Sequence, residues 1–71
     1  MNFSEAIKIV RQKALLSQED FSKKLGVSHS TVNRWETGKT LPNFKTMKQI
    51  DIFCKENAID FDVTREVWSN E

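Results

Sequence analysis

Apolar residues recur every three or four positions in four stretches of the chain, the spacing that places them on one face of an α-helix. This spacing predicts helices over 3–14, about 18–25, about 29–37 and roughly 44–57. The inward positions are Phe3, Ala6, Ile7, Val10, Ala14, Phe21, Leu25, Val32, Trp35, Phe44, Met47, Ile50, Phe53 and Cys54. The pattern predicts a bundle of helices that share one core.

Polar residues and glycines mark where these helices begin and end. Gly26 follows the second helix where a helix end favours positive φ, and Gly38 closes the third. Pro42 cannot continue a helix and also restricts Leu41, so 39–43 is predicted to be a loop. The candidate N-caps are Asn2 or Ser4, then Ser17 with Asp20 in a capping box, Ser28, and Asn43.

The last fourteen residues, 58–71, admit two structures. Apolar and acidic residues alternate over 59–63, which is typical of a strand, but a lone short strand has nothing to pair with. A turn in which Asp62 or Thr64 caps a last helix is therefore favoured. The apolar side chains of this segment either cover the core or form a dimer surface: Phe61, Val63 and Trp68.

The predicted fold class is all-α, a compact bundle of four to five helices with a central helix-turn-helix. Residues 1–57 form the main domain, and 58–71 form an acidic tail that is a short helix or a dimerisation element. Residues 1–50 carry nine basic and four acidic side chains, whereas 51–71 carry two basic and six acidic ones. A basic surface favours phosphate, although charge alone is weak evidence for nucleic acid.

Composition argues against several function classes. No apolar run approaches the ~20 residues of a membrane span, and the N-terminus lacks the pattern of a secretion signal. A single cysteine allows no internal disulfide, and no Cys/His cluster indicates structural zinc. The sequence contains no Ser/His/Asp set, carboxylate pair or glycine-rich loop. We therefore expect a cytoplasmic protein with no cofactor, no metal, no membrane contact and no enzymatic activity.

The central stretch resembles the phage-repressor (XRE-type) helix-turn-helix family, which has the lambda-repressor-like fold. The matching residues are LSQEDFSKKLGVS at 16–28, STVNRWETGK at 30–39, and Pro42. The resemblance covers about residues 5–57 and excludes the tail. It implies that the helix over 29–37 lies in the major groove of double-stranded DNA, and that a homodimer binds paired half-sites.

The resemblance also implies a role for individual positions. The base-contacting positions are His29, Ser30, Thr31 and Arg34. The phosphate-contacting positions are Ser17, Gln18, Asn33, Thr37, Lys39 and Thr40. Arg11 and Glu36 occupy positions that form a buried ion pair in family members; the alternative is an exposed pair that stabilises the fold very little.

Helical spacing supports part of this assignment. Val32 and Trp35 point inward, so the opposite side of the helix carries short polar residues and one arginine, without an acid that would repel phosphate. Arg34 can pair with guanine O6 and N7, worth ~1–3 kcal/mol of discrimination, or bind a phosphate instead. His29 lies at the edge of the inward face, where it contacts DNA, caps the helix or packs on Trp35.

The sequence is compatible with two functions. The leading hypothesis is a sequence-specific DNA-binding transcriptional regulator, a repressor of phage or mobile-element type that acts as a dimer. The alternative is an antitoxin or adaptor in which the acidic tail binds a protein partner.

Overall fold

The computed structural model describes residues 2–68, with the side chain of Trp68 left out. Its elements are α1 (Phe3–Lys13), α2 (Gln18–Leu25), α3 (His29–Glu36), α4 (Phe44–Glu56) and α5 (Val63–Trp68). The described residues contain no strand, which confirms the all-α prediction. Predictions for Met1, for 69–71 and for the Trp68 side chain lie outside the described residues. None of the helices within 2–68 has the length and apolar character needed to cross a membrane.

The first four helices begin where the sequence indicates. In each case the cap side chain accepts a hydrogen bond from the backbone N–H three residues later; the caps are Asn2, Ser17, Ser28 and Asn43. Ser4, the other candidate, donates its hydroxyl to Asn2 Oδ1 over 2.8 Å. Three predicted helices extend one residue too far, because their last residues are C-caps: Ala14, Thr37 and Asn57.

In the part of the chain that the structure describes, four helix or turn ends have a positive φ. Gly26 (72°) and Gly38 (76°) lie at the predicted positions. Leu15 (59°) and Ala58 (53°) were not predicted, because the sequence has no glycine at either place. A residue with a Cβ pays roughly 1–2 kcal/mol for this left-handed conformation.

Aromatic pairs join the helices through the core. The Trp35 ring meets Phe3 edge to face with centroids 6.2 Å apart, and Phe21 meets Phe53 at 5.3 Å. Trp35 is buried, as predicted. Phe44 was predicted to face inward and this is wrong, since it is 76% exposed. It begins α4 beside a groove of about 620 Å³ that Val63 and Thr64 of α5 also line.

The C-terminal segment forms a turn and a helix, and the strand alternative is wrong for the described residues. Asp62 Oδ1 accepts the Thr64 hydroxyl at 2.7 Å and the Arg65 N–H at 3.2 Å, and these bonds lower the pKa of Asp62. Val63 and Val67 are buried, and Phe61 packs partly buried against the same cluster. The short helix α5 therefore covers the core between α1 and α4.

Candidate nucleic-acid interface

The relative placement of α2 and α3 exposes one side of α3. The chain leaves α2 at Gly26, whose left-handed backbone ends the helix, and Val27 donates its N–H to Ser22 O over 3.0 Å. Val32 and Trp35 of α3 are then buried against α1 and α2. The opposite side of α3 is left facing outward.

The four side chains predicted to contact bases lie on α3, three of them at its start and Arg34 in its second half. His29, Ser30 and Arg34 are exposed, and Thr31 is half-buried. The hydroxyls of Thr31 and Ser28 lie 2.8 Å apart and share a hydrogen bond, so this polar group belongs to the helix cap. The Thr31 methyl is then the group suited to apolar contact with a partner.

The residues predicted to contact phosphate form two groups beside α3. Ser17 and Gln18 begin α2, and Gln18 lies next to His29. Lys39 and Thr40 follow α3 in an exposed loop, and both direct their backbone N–H groups to Arg34 O, at 2.9 and 3.4 Å. Polar groups therefore lie at both ends of the outward side of α3.

Of the two remaining predicted phosphate contacts, Asn33 lies on α3 and Thr37 is the C-cap of this helix. Asn33 and Thr37 are both exposed. The Thr37 hydroxyl donates to Asn33 O over 2.9 Å, so it is already used within the helix end. Asn33 therefore keeps the more available side chain of the two.

Arg11 and Glu36 form the ion pair that the resemblance implies. Arg11 Nε lies 2.7 Å from Glu36 Oε2 and Nη2 lies 3.0 Å from Oε1, while Nη1 donates to Leu16 O at 2.9 Å. The side chains are only 14% and 4% exposed, so the alternative of an exposed pair is wrong. Hydrogen bonding to Glu36 raises the pKa of Arg11 above its ordinary value.

Gln18 links this ion pair to the outward side of α3, which sequence reasoning missed. Its Nε2 donates to Glu36 Oε1 at 3.1 Å and lies 3.5 Å from Asn33 Oδ1. Its Oε1 lies 3.0 Å from His29 Nε2. The spacing of residues along the chain does not predict these hydrogen bonds of Gln18, because they depend on how α2 crosses α3.

The charge of this surface suits an anion. The acid of α3, Glu36, is nearly buried and is neutralised by Arg11, whereas Arg34 and Lys39 are exposed. Thr31, Arg34 and Thr40 line one shallow pocket of about 220 Å³ beside α3. A polyanion that approached α3 would meet cations and hydroxyl groups.

Comparison with known proteins agrees with this geometry. A family model described as "Helix-turn-helix" matches residues 7–58. The chain is also similar to the HTH-type transcriptional activator BcrR of Enterococcus faecalis, with 36% identity over 53 residues. The match covers 75% of this chain and 26% of the relative, so the chain spans about a quarter of that protein's length. No solved structure matches the chain significantly.

Proposed function

The chain belongs to the XRE-type helix-turn-helix family of DNA-binding domains, and from this membership we propose that it regulates transcription by recognising a specific DNA sequence with α3. The observation that carries the proposal is the outward side of α3. It is polar and cationic, its acid is neutralised, and polar groups flank it at both ends. The major groove, ~12 Å wide, admits an α-helix with such a surface.

Direct contact with bases falls to the first three residues of α3 and to Arg34 in its second half. Arg34 is exposed and its fork of N–H donors matches guanine O6 and N7. The Thr31 methyl packs on a thymine methyl, since the Thr31 hydroxyl is held by Ser28. Ser30 donates or accepts according to the base it meets, and His29 contacts the base nearest Gln18.

Contacts to phosphate place the domain on the duplex and carry no sequence information directly. Ser17 and Gln18 act at the N-terminus of α2, where unpaired N–H groups and the helix dipole attract an anion. Lys39 and Thr40 act from the loop after α3. Asn33 contacts the DNA backbone from α3, and Thr37 contacts it from the C-cap of this helix.

We further propose that two copies bind a two-fold site. Half-sites one helical turn apart have centres ~34–36 Å apart. The domain measures 30 × 25 × 21 Å, so copies on neighbouring half-sites would lie side by side and close enough to touch. A homodimer on DNA agrees with these dimensions.

Repression is the mode of regulation that we propose, in the cytoplasm and for a phage or mobile-element type of regulator. A repressor needs only to occupy its operator, whereas an activator needs a second surface for the transcription machinery. The proposed activity is binding, without a cofactor or a chemical step. The antitoxin or adaptor alternative gains no support, because Val63 and Val67 of the C-terminal segment are buried in the domain's own core.

An unbiased selection of bound DNA sequences tests the proposal. Wild type should enrich a two-fold site, and Arg34→Ala should lose the preference for guanine at one position of each half-site. Lys55→Ala is the control, since Lys55 lies near the far end of α4 and pairs with Asp51. Enrichment of no sequence by the wild type would overturn the proposed function. A uniform loss with Arg34→Ala would instead make Arg34 a phosphate contact.

A further inference from the structure

Glu36 begins a chain of hydrogen bonds that leads from the interior to His29. Both of its carboxylate oxygens accept from Arg11, and the side chain is nearly buried. An ionised carboxylate has lone pairs and no proton, so it can only accept hydrogen bonds. Any group that bonds Glu36 Oε1 must therefore present a donor to it.

Gln18 is the next group in this chain. An amide has a donor end and an acceptor end, and Glu36 determines which end faces it. The Nε2 end lies 3.1 Å from Glu36 Oε1, and the Oε1 end lies 3.0 Å from His29 Nε2. The reversed amide would place a carbonyl oxygen against the carboxylate and an N–H₂ donor against His29, so the charge of Glu36 holds the observed orientation.

His29 is the last group. The Gln18 carbonyl oxygen accepts hydrogen bonds and cannot donate them, so His29 Nε2 must carry a hydrogen. A neutral imidazole has one N–H, and its other nitrogen is then a bare acceptor. In the neutral ring that acceptor is Nδ1. The ion pair thereby determines which nitrogen of His29 can donate and which can accept.

We propose that Glu36 and Gln18 are positioning residues that set the hydrogen-bond polarity of His29, so that its acceptor nitrogen selects a base with an exocyclic amino group. In the major groove such donors are adenine N6 and cytosine N4, whereas guanine and thymine offer oxygen acceptors at the equivalent place. The choice of base rests on the proposed function. The polarity of His29 does not, because it is a property of the free domain.

Nitrogen NMR of the free domain tests the polarity. His29 is the single histidine of the sequence, so its two ring nitrogens give unambiguous signals. At about pH 8.5, wild type should show one tautomer, protonated at Nε2. Glu36→Gln should show a mixture, because a neutral amide at position 36 can accept or donate and no longer orients Gln18.

Arg11→Lys is the matched control. It weakens the ion pair but leaves the Glu36 charge, so it should keep the single tautomer of the wild type. If Glu36→Gln fails to fold, Gln18→Ala removes the link while leaving Arg11 and Glu36 in place, and it should also show the mixture. The proposal is overturned if the wild-type ring is protonated at Nδ1. It is also overturned if Glu36→Gln and Gln18→Ala, where they fold, keep the tautomer of the wild type.

Selection of bound DNA then tests the consequence. At one position of each half-site, wild type should favour adenine or cytosine, and this preference should fall roughly three- to tenfold in Glu36→Gln but not in Arg11→Lys. His29→Ala shows which base position His29 reads, because the preference there should be lost. If the wild type prefers guanine or thymine at that position, the base assignment is wrong. A wild type without any sequence preference overturns the proposed function, and the NMR result still decides the polarity.

Discussion

Arg11 and Glu36, 25 residues apart in the chain, form a two-point ion pair that ties α1 to the C-terminal end of α3. The third nitrogen of the guanidinium, Nη1, donates to Leu16 O, so the same arginine also holds the turn before α2. Gln18 extends it to His29. One buried pair thus connects the fold of the domain with the surface proposed to contact DNA.

Removing one partner of this ion pair should lower the free energy of unfolding much more than replacing both partners with apolar residues. Arg11→Met and Glu36→Met each leave a nearly buried charge without its partner, so each should lower the free energy of unfolding by ~3–5 kcal/mol. The double variant removes both charges and should be more stable than either single one. Urea unfolding of the four proteins at low temperature measures the coupling.

Lys55→Met is the control for this cycle. Lys55 Nζ lies 2.9 Å from Asp51 Oδ2, but the two side chains are 77% and 40% exposed. Lys55→Met should therefore lower the free energy of unfolding by less than about 1 kcal/mol. Simple addition of the losses from Arg11→Met and Glu36→Met would contradict a coupled buried pair.

A glycine at position 15 should stabilise the domain. Leu15 has φ 59° and is 92% exposed, so Leu15→Gly relieves the left-handed strain and loses little packing. We expect a gain of about 0.5–1 kcal/mol after the greater entropy of the unfolded glycine is included. Thermal or urea unfolding measures it.

The neighbouring residue provides the control for this substitution. Ala14 has φ −82°, an ordinary helical value, so Ala14→Gly should lower stability by about 0.5–1 kcal/mol or more. If Leu15→Gly raises the free energy of unfolding and Ala14→Gly lowers it, the gain at position 15 comes from relief of backbone strain and not from a general effect of glycine. Equal losses at both positions would show that Leu15 is not strained.

Stability should fall in alkaline solution because of Cys54. Burial, with a smaller contribution from the Asp51 charge, raises the pKa of the Cys54 thiol to about 11 from an ordinary value of 9.0. Above pH 9 the unfolded chain releases this proton while the folded chain keeps it, so the free energy of unfolding declines as pH rises from about 9 to 11. The loss should be on the order of 2 kcal/mol.

Cys54→Ala isolates this effect, because any other change of stability with pH is common to the wild type and the variant. The variant loses packing at every pH, but the difference between wild type and variant should shrink between pH 9 and 11. A difference that stays constant with pH would mean that Cys54 titrates alike in the folded and unfolded chains.

Local chemistry made the helices predictable. A cap such as Ser17 or Asn43 and a glycine such as Gly26 act within a few residues of their own position, so the sequence contains the whole cause. Phe44 follows the apolar spacing of α4 but is exposed, because helical spacing shows which residues share a face and not which neighbouring element covers each of them.

The candidate site was predictable only in part. The outward position of Arg34 follows from helical spacing, whereas its proposed contact with a base came from family resemblance. The Gln18 link to His29 and Glu36 needs α2 and α3 to cross at a particular angle. That angle results from packing of the whole core, and no local pattern encodes it.

Lys39 should contribute to DNA affinity without contributing to specificity. Each phosphate that the protein neutralises releases counterions. Each such contact adds about 0.9 to the magnitude of the slope of log affinity against log salt concentration. Lys39→Gln in a dimer should therefore reduce the slope by about 1.8 on specific and non-specific DNA alike. Lys55→Gln removes the same charge near the far end of α4 and should leave the slope nearly unchanged. A changed base preference with an unchanged slope would instead place Lys39 at a base edge.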